Sequence, residues 1–273
     1  MRRLKTNLRI VSTDEIWERN EDASDCFFSH TSIVAFYGET AYHGMSAART
    51  TDLSKEPFLP FLKPLHPIPR EDIYPKFSSR LTRAPEIYIR KPNLSLYSPD
   101  DGHEIADLLF HEAEIYEILR RHPHPGLGRS LGCVVGDDGR ITGLALVKYN
   151  GLSLFQRAHG PEFLGEEQRN RCIEGLKAAV QHLHDLGLAH NDINPSNVMF
   201  TDDGAPILLD FATCNPIGTK LIKGGQVGEF ENGIAVAKYE LSSADCDNAA
   251  IEHISAWLKR MYDERKSKIE GRM

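Results

Sequence analysis

The stretch HNDINPSNVMF, residues 190–200, constrains this chain more than any other part of its sequence. It places Asp192 and Asn197 five positions apart, and the apolar run PILL that follows leads into a second carboxylate, Asp210. A buried strand that ends in a carboxylate holds that group rigidly, in a position suited to binding a ligand. The pattern therefore predicts a site built from two carboxylates and an amide.

These three side chains suit phosphoryl transfer, a reaction that asks little covalent chemistry of a protein. It needs a group that orients the attacking hydroxyl, and hard oxygen ligands for the Mg²⁺ on the phosphates. Asp192 can accept the hydroxyl proton, and Asn197 and Asp210 can share the metal. The alternative, that these residues only cap turns, explains neither their spacing nor the helix-like and strand-like runs around them.

Composition and charge narrow the class of protein. The 273 residues are enough for one two-lobed domain or two smaller ones, and the net charge is −7. No Lys/Arg block indicates binding to nucleic acid or to a membrane surface. Five cysteines without a CxxC pair are typical of a reducing compartment and argue against a zinc site. The apolar runs are short and the basic start leads into no apolar segment, so we expect a cytoplasmic or nuclear protein.

Periodicity predicts regular elements from residue 86 onwards. A short β-rich run covers 86–92, and two strands surround a turn within 130–149. Apolar residues at helical spacing predict helices over 103–123 and 166–187. A last helix carries four apolar residues at 3-4-3 spacing: Ile251, Ile254, Leu258 and Met261. The Gly-rich stretch 217–233 before it lacks the Lys-Ser/Thr pair of a phosphate-binding loop and predicts an irregular segment.

Residues 1–85 are mixed and polar, with prolines concentrated between positions 57 and 75. That density argues against a helix or a central strand and favours an extended run packed on a surface. A plain linker would need fewer large apolar residues than this run contains: Phe58, Leu59, Phe61, Leu62 and Leu65. We therefore expect residues 1–85 to form part of the folded unit.

The stretch HLHDLGLAHNDINPSNVMF, followed by ILLDFA, resembles the catalytic loop and the Asp-Phe-Gly motif of the eukaryotic-like protein kinase superfamily. The resemblance covers about residues 86–262 and is greatest to short kinase-like proteins of filamentous fungi. It implies an α+β, two-lobed fold with a small β-rich N-lobe and hinge at 86–149, containing one helix. A mostly helical C-lobe at 150–265 would be truncated after helix F and followed by a tail at 266–273.

The resemblance also assigns roles within the motifs, with ATP and Mg²⁺ as the implied cofactors. Asp192 would be the catalytic base, and Asn197 and Asp210 would hold Mg²⁺. Val147 falls at the gatekeeper position and Tyr149 in the hinge, so both would contact the nucleotide.

Two packing expectations follow from the same resemblance. Asp247 falls at the anchoring position of helix F. His190 is expected to pack behind the catalytic loop against Phe211.

The sequence does not decide which of two neighbouring basic residues, Arg90 or Lys91, would hold the phosphates. Successive strand side chains point to opposite faces, so only one of the two can enter a cleft. We favour Lys91, because Ile87 and Ile89 would then share its face and suit an adenine pocket. Its partner is expected to be Glu112, with Glu114 as the fallback.

Several positions depart from the kinase pattern. No glycine lies between Gly44 and Gly102, so the Gly-rich phosphate lid is absent. Asn191 replaces the arginine of His-Arg-Asp, which makes activation by a phosphorylated loop unexpected. Asn194 replaces a lysine, and Ala212 replaces the glycine of Asp-Phe-Gly.

Three functions remain open on these grounds. The first is a Ser/Thr-type protein kinase acting on a protein substrate whose identity the sequence does not indicate. The second is a pseudokinase that serves as a scaffold, since a missing charge-stabilising group costs about 10²–10³ in rate. The third is a small-molecule phosphotransferase like the aminoglycoside and choline kinases, which lack the same arginine and lysine.

Overall fold

The computed structural model describes residues 8–19, 26–53, 65–84, 89–99, 102, 104–160, 164–228, 230 and 235–270. The strands are β1 Leu8–Arg19, β2 Cys26–Tyr37, β3 Thr40–Ser46, β4 His66–Pro67, β5 Ile89–Arg90, β6 Ser130–Val135, β7 Ile141–Leu146, β8 Leu188–Ala189, β9 Val198–Phe200, β10 Pro206–Leu208, β11 Asn215–Pro216, β12 Gln226–Gly228 and β13 Ala235–Lys238. The helices are α1 Thr50–Leu53, α2 Arg70–Ile73, α3 Glu104–Arg121, α4 Leu154–His159, α5 Glu166–Asp185 and α6 Ala244–Glu270. This mixture of helices and antiparallel sheets makes the chain an α+β protein.

The described residues divide into two units. The first comprises the chain up to residue 78 with 91–110 and 135–143, and the second comprises 79–90, 111–134 and 144 onwards. The predicted boundaries, with an N-lobe at 86–149 and a C-lobe at 150–265, stay a prediction.

An antiparallel sheet in the order β1-β2-β3-β4 dominates the first unit. We did not predict this sheet, because β1 is polar and mostly exposed and shows little of the alternation that identifies a strand. Only β2 carries a clear apolar run, and Ile33, Val34 and Ala35 within it are all buried. The apolar run SIVAFYG, residues 32–38, is therefore only part of a much longer pair of strands.

The Pro-rich region contributes to the core of the first unit. Ile68 and Ile73 are buried there with Val34, and they pack with Leu94 and with Ile105 of α3. These contacts join the N-terminal residues to chain segments beyond residue 90 within one core cluster.

One expectation for the Pro-rich region was wrong. Residues 70–73 form the short helix α2, which begins directly after Pro69 and carries Glu71 and Asp72 in its first turn, where negative charge is favourable. Pro67 lies in β4 at the edge of the sheet, the place in a sheet where proline is tolerated. Leu65 is partly buried. The four other apolar residues of the run, Phe58, Leu59, Phe61 and Leu62, lie outside the described residues.

The second unit is built on the predicted elements. The helix predicted over 103–123 is α3, whose residues from 111 onwards belong to this unit, and the helix predicted over 166–187 is α5. The hairpin predicted within 130–149 is β6 and β7, and β5 pairs with β7. These predictions are confirmed. The helix α4 was not predicted, although Ser153 and Gln156 form a capping box at its start.

The apolar stripe of α5 provides much of the core of this unit. Leu176, Ala179 and Leu183 are completely buried, and burial of each leucine contributes about 1.5–3 kcal/mol. Gly187 follows the helix with φ +75°, a conformation that glycine adopts without strain. The chain can therefore reverse at once into β8 and the HNDINPSN loop.

The last helix, α6, is longer than predicted. Ile251, Ile254 and Leu258 are buried as expected, but the helix continues through the charged run to Glu270, where we expected a tail from residue 266. Regular i,i+4 spacing of acidic and basic residues supports a solvated helix as readily as a tail. Within the described ranges, no helix is both long and apolar enough to cross a bilayer.

Candidate active site

Local strand pairing brings Asn197 and Asp210 together. The hairpin of β9 and β10 pairs Val198 with Leu208, and the Leu209 N–H donates to the Asn197 carbonyl at 2.8 Å. The two predicted metal ligands therefore lie at the open end of a short two-stranded ladder, opposite its turn. Asp210 has φ +66°, a left-handed conformation that is rare outside glycine and is associated with functional sites.

Arg90 links this loop region to α3. Its guanidinium forms an ion pair with Glu112, and its other terminal nitrogen donates to Asp210 Oδ1 at 3.0 Å. Glu112 is almost completely buried, whereas Glu114 is half-exposed and pairs with Arg80 at 2.6 Å. Glu112 is therefore the glutamate beside the basic residue.

We expected Lys91 rather than Arg90 to face the site beside Glu112, and the positions of the two side chains show that this prediction was wrong. The Lys91 side chain is exposed, and the side chain of Arg90 is the one that reaches Glu112 and Asp210. The strand ends at Arg90 and Pro92 follows directly, so β5 is too short for Lys91 to share its pleat. Ile87, whose face supported the preference, lies outside the described residues.

Burial and charge act against each other in this ion-pair network. Burial raises the pKa of Glu112 to about 7, although the charge of Arg90 opposes the rise. Burial alone would lower the pKa of Arg90, but Glu112 and Asp210 raise it, so the guanidinium remains charged. A partly buried guanidinium between two carboxylates is held by bonds on both sides, and it presents a fixed positive charge next to Asp210.

Asp192 is held by the two asparagines that follow it. The Asn197 amide donates to the Asp192 carbonyl at 3.0 Å and to its carboxylate at 3.3 Å, and the Asn194 amide donates to the same two groups at 3.3 Å. Burial raises the pKa of Asp192, while His190 and the asparagine bonds lower it. A raised pKa brings a carboxylate closer to the pH at which it serves as a general base.

Asp247 anchors the start of this loop. It is completely buried in α6 and accepts from the backbone N–H groups of His190 and Asn191, both at 2.8 Å. His184 Nε2 lies 3.0 Å from the same carboxylate. Two main-chain bonds to one rigid side chain hold the loop in position, which confirms the expected anchoring place of Asp247.

Phe211 supports the loop from the other side. Its ring is completely buried and makes edge-on contacts with His190, at 5.3 Å between ring centroids, and with Tyr116 of α3, at 5.2 Å. The expected contact between His190 and Phe211 is confirmed. The two ring contacts join α3 and the loop through the residue directly after Asp210.

A cavity of about 290 Å³ lies within the second unit and gathers these groups. Its polar wall includes Arg90, Asn197 and Asp210, and the predicted contacts Val147 and Tyr149 also line it. The remaining lining residues are Tyr116, Gly128, Arg129, Leu146, Lys148, Ser196, Met199 and Leu209. A mostly apolar cavity with a few converging polar groups is the usual form of a small-molecule site.

Some of these lining residues could not be found from the motifs. Gly128 makes room for the strand end, because a Cβ at that position would lie 2.6 Å from Leu209 Cδ2. Arg129 and Tyr116 come from segments that are distant in sequence from the loop. Tyr116 falls on the apolar face of the helix predicted over 103–123, but no motif marks either residue as part of a site. Met199 could have been found, since it is the partly buried residue between the buried Val198 and Phe200 of β9.

The donor groups fit a hard divalent cation such as Mg²⁺. The Asn197 side chain supplies a carbonyl oxygen, and its amide nitrogen already donates to Asp192. Asp210 supplies a carboxylate of which only Oδ1 is bonded to Arg90, and 39% of its side chain is exposed. Oxygen ligands with open positions left for water and phosphate are typical of Mg²⁺ sites.

Comparison with known proteins finds kinases. The chain is 27% identical to sperm motility kinase 2B of Mus musculus over 114 residues, which cover 42% of this chain and 22% of that protein. It is 34% identical to mouse serine/threonine-protein kinase 16 over 53 residues, 19% of this chain and 17% of that protein. It is 27% identical to the human hormonally up-regulated neu tumor-associated kinase over 107 residues, 39% of this chain and 14% of that protein.

These matches support a relationship to protein kinases. The chain spans about a fifth of the length of the first of these relatives. No family model matches the chain.

Proposed function

We propose that this chain binds Mg-ATP in the cavity described above and transfers the γ-phosphate to a Ser or Thr hydroxyl of a protein. One observation carries the proposal: Arg90, Asn197 and Asp210 converge on one cavity while Asp192 is hydrogen-bonded to Asn197 at the loop beside it. A fixed cation and two oxygen ligands in the cavity, with a base on the adjoining loop, are the parts that phosphoryl transfer needs. The kinase relationship supports the same reading.

Each residue has a distinct part in the proposed reaction. Asp192 accepts the proton of the acceptor hydroxyl as its oxygen forms a bond to the γ-phosphorus, and the bond from that phosphorus to the β-phosphate oxygen breaks to release ADP. Asn197 and Asp210 would hold Mg²⁺, which neutralises phosphate charge when it is bound. Arg90, held by Glu112, binds a phosphate oxygen through a guanidinium nitrogen. Val147 and Tyr149 contact the adenine.

Nucleotide binding is the first test of the proposal. Melting of the purified chain with millimolar ATP should shift upwards, and the shift should grow when Mg²⁺ is added. The Asp210→Asn variant should lose most of the Mg²⁺-dependent part. Asp202→Asn is the matched control, because Asp202 is exposed in the turn between β9 and β10 and does not line the cavity. An unshifted melting curve in well-folded protein would refute nucleotide binding.

Phosphate transfer is the second test. Radiolabelled ATP is incubated with a mixed library of Ser- and Thr-containing peptides, and in parallel with an aminoglycoside and with choline. Labelled peptides that disappear in Asp192→Ala, with ATP binding intact, would support the protein kinase. Label on the small molecules alone would support the small-molecule phosphotransferase instead.

The contact between Arg90 and Asp210 favours one alternative, a pseudokinase that binds nucleotide without turnover. The guanidinium already occupies an oxygen that would otherwise be open to Mg²⁺. The Gly-rich lid is also missing between Gly44 and Gly102. Nucleotide binding without labelled product in either assay would select this alternative.

A further inference from the structure

A second cavity, of about 360 Å³, lies within the second unit beside the C-terminal half of α3, and we call it the α3 cavity. Its apolar wall comes from Leu119 and Leu127, which are both buried, and from the two prolines of the turn HPHP, Pro123 and Pro125. The α3 cavity is larger than the candidate nucleotide cavity, and its volume lies in the range of small-molecule sites. Its size and lining suit the apolar body of a small organic molecule.

The polar side chains at the α3 cavity carry hydrogen-bond donors and no carboxylate. They are Tyr116, Arg120, His124, Arg129 and Ser130, and no aspartate or glutamate joins them among the described lining residues. The Ser130 hydroxyl donates to a backbone carbonyl and accepts from a backbone N–H, so it is satisfied within the chain. The donors of the other four side chains therefore decide which ligand the cavity can take.

Tyr116 brings a buried hydroxyl to the wall of the α3 cavity. Only 4% of the residue is exposed, and its ring is fixed by the edge-on contact with Phe211. Its hydroxyl forms no hydrogen bond with the part of the chain that the structure describes. Burial raises the pKa of this phenol well above its usual value, so the hydroxyl keeps its proton. Since a buried tyrosine hydroxyl usually has a hydrogen-bond partner, an acceptor on a bound molecule suits this position.

His124 presents a second donor to the α3 cavity. Its Nδ1 accepts from the Gly126 N–H at 3.1 Å, and its ring stacks on His182 with 5.1 Å between the ring centroids. Burial and His182 lower the pKa of His124, so the ring is neutral near pH 7 and its proton lies on Nε2. Within the described ranges, nothing accepts a hydrogen bond from that Nε2. Two contacts therefore fix the ring while Nε2 remains able to donate to a ligand.

Two guanidinium groups add positive charge to the lining. Arg120 pairs with Glu117 at 2.5 Å through Nη2 and also bonds to it through Nε, which leaves Nη1 able to donate. Arg129 is exposed and forms no ion pair with any residue that the structure describes. A carboxylate only accepts hydrogen bonds, and it pairs with a guanidinium through two N–H groups. The lining therefore suits an anion, although the chain as a whole carries a net charge of −7.

We infer that the α3 cavity is a second ligand site, which binds a small carboxylate with an apolar body. The carboxylate faces the two arginines, and the apolar body lies against the two leucines. The α3 cavity shares Tyr116, Gly128 and Arg129 with the candidate nucleotide cavity. The proposed metal ligands, Asn197 and Asp210, are not among its described lining residues. It is therefore a separate site, and the inference does not depend on the proposed phosphotransfer.

Titration with naphthalene-2-carboxylate tests the inference. This probe carries one carboxylate on a rigid apolar body, and its binding is followed through the amide signals of ¹⁵N-labelled protein. It should bind saturably with a dissociation constant on the order of 1 mM or lower, the affinity expected of a molecule of this size. The signals that shift should include those of residues 116–130. Naphthalene-2-carboxamide has the same shape without the charge and should bind at least about tenfold more weakly, because charge-assisted hydrogen bonds are the stronger ones.

Three variants locate the probe in the α3 cavity. Arg129→Gln and Arg120→Gln should each weaken binding about three- to tenfold, because each removes one guanidinium from the lining. Tyr116→Phe removes only the hydroxyl, so it should weaken binding by about the same factor and should unfold at the same urea concentration or a higher one. Arg121→Gln is the matched control, because Arg121 also pairs with Glu117, at 3.7 Å, but is not among the described lining residues. This control should leave the affinity within about twofold of the original.

Each result decides the inference. No saturation by the probe, or equal affinity for the carboxylate and the carboxamide, would overturn it. Equal weakening in Arg121→Gln and in the two other arginine variants would show a general effect of charge and no specific site. Saturating Mg-ATP should leave the affinity for the probe within about threefold, whereas full competition would place the probe in the nucleotide cavity and overturn a separate site. If Mg-ATP does not bind at all, the proposed function fails, while the carboxamide and the variants still decide the inference.

Discussion

Replacement of Asp247 by alanine is the perturbation whose effect on stability follows most directly from the structure. The carboxylate is completely buried and accepts two backbone N–H groups at 2.8 Å and the His184 ring at 3.0 Å. Alanine removes the acceptor of all three donors and leaves them in an interior position. The His190 and Asn191 N–H groups have no route to water without a movement of the loop, since both residues are at most 1% exposed.

The loss of stability in Asp247→Ala is set mainly by the two main-chain donors, the N–H groups of His190 and Asn191. A buried donor left without an acceptor costs about 1–3 kcal/mol, so the pair costs about 2–6 kcal/mol. Loss of the His184 contact adds about 0.5–1.5 kcal/mol. The free energy of unfolding of an ordinary domain is about 5–15 kcal/mol, so Asp247→Ala should remove a large part of the stability of the protein. Asp247→Asn keeps one side-chain oxygen and should cost clearly less.

Urea unfolding, followed by fluorescence and circular dichroism at neutral pH, measures these differences. Asp245→Ala is the matched control, because Asp245 is exposed in the same first turn of α6 and loses only a helix-dipole interaction of about 0.3–1 kcal/mol. If Asp247→Ala and Asp245→Ala changed the free energy of unfolding by the same amount, the anchoring argument would be wrong. If Asp247→Ala yields no folded protein, the comparison of Asp247→Asn with Asp245→Asn replaces it.

Three more predictions concern the site and the first unit. Arg90→Met should weaken Mg-ATP binding at least about tenfold, measured by calorimetry, whereas Lys91→Met should not, and equal affinities would show that neither residue contacts nucleotide. Because the native pKa of Glu112 is raised from 4.5 to about 7, the folded state holds a proton that the unfolded state releases, and stability should fall by about 3 kcal/mol as pH rises across that window. In Glu112→Gln, the free energy of unfolding in urea should depend less on pH across this window. An unchanged pH dependence would contradict the raised pKa of Glu112. Deletion of residues 1–80 should expose Ile105 and its neighbours in the core and yield insoluble protein, so a soluble fragment with an unchanged melting curve would count against this role.

Local sequence was enough to predict several elements of the second unit, among them α3, α5 and the β6–β7 hairpin. The apolar spacing in α3 and α5, and the turn residues between β6 and β7, depend on neighbours within one or two turns of chain. The proximity of Asn197 and Asp210 was also predictable, because a short hairpin joins them and pairs the residues directly beside them. For these features, the positions of the partners in sequence determine their positions in space.

The choice between Arg90 and Lys91 depended on the tertiary structure. The spacing of the motif permits either residue, and strand alternation decides only that one of them faces the site. The end of β5 at Arg90, and the position of Glu112 on α3, settle which side chain reaches Asp210. The contact between Arg90 and Asp210 joins segments that are 120 residues apart in sequence.

The long antiparallel sheet of the first unit was also invisible in the sequence. Its outer strand β1 has few buried residues, and the side-chain contacts that it makes with β2, such as Trp17 with Phe28 and Glu18 with Ser29, join residues that no local pattern marks as partners.

Asn191 illustrates the same limit at a single residue. The sequence showed that an arginine was missing, but only the folded chain places the Ala189 carbonyl, the Ser242 hydroxyl and the Ser243 N–H around the side chain of the asparagine. Such networks depend on distances between distant segments, and periodicity carries no information about those distances.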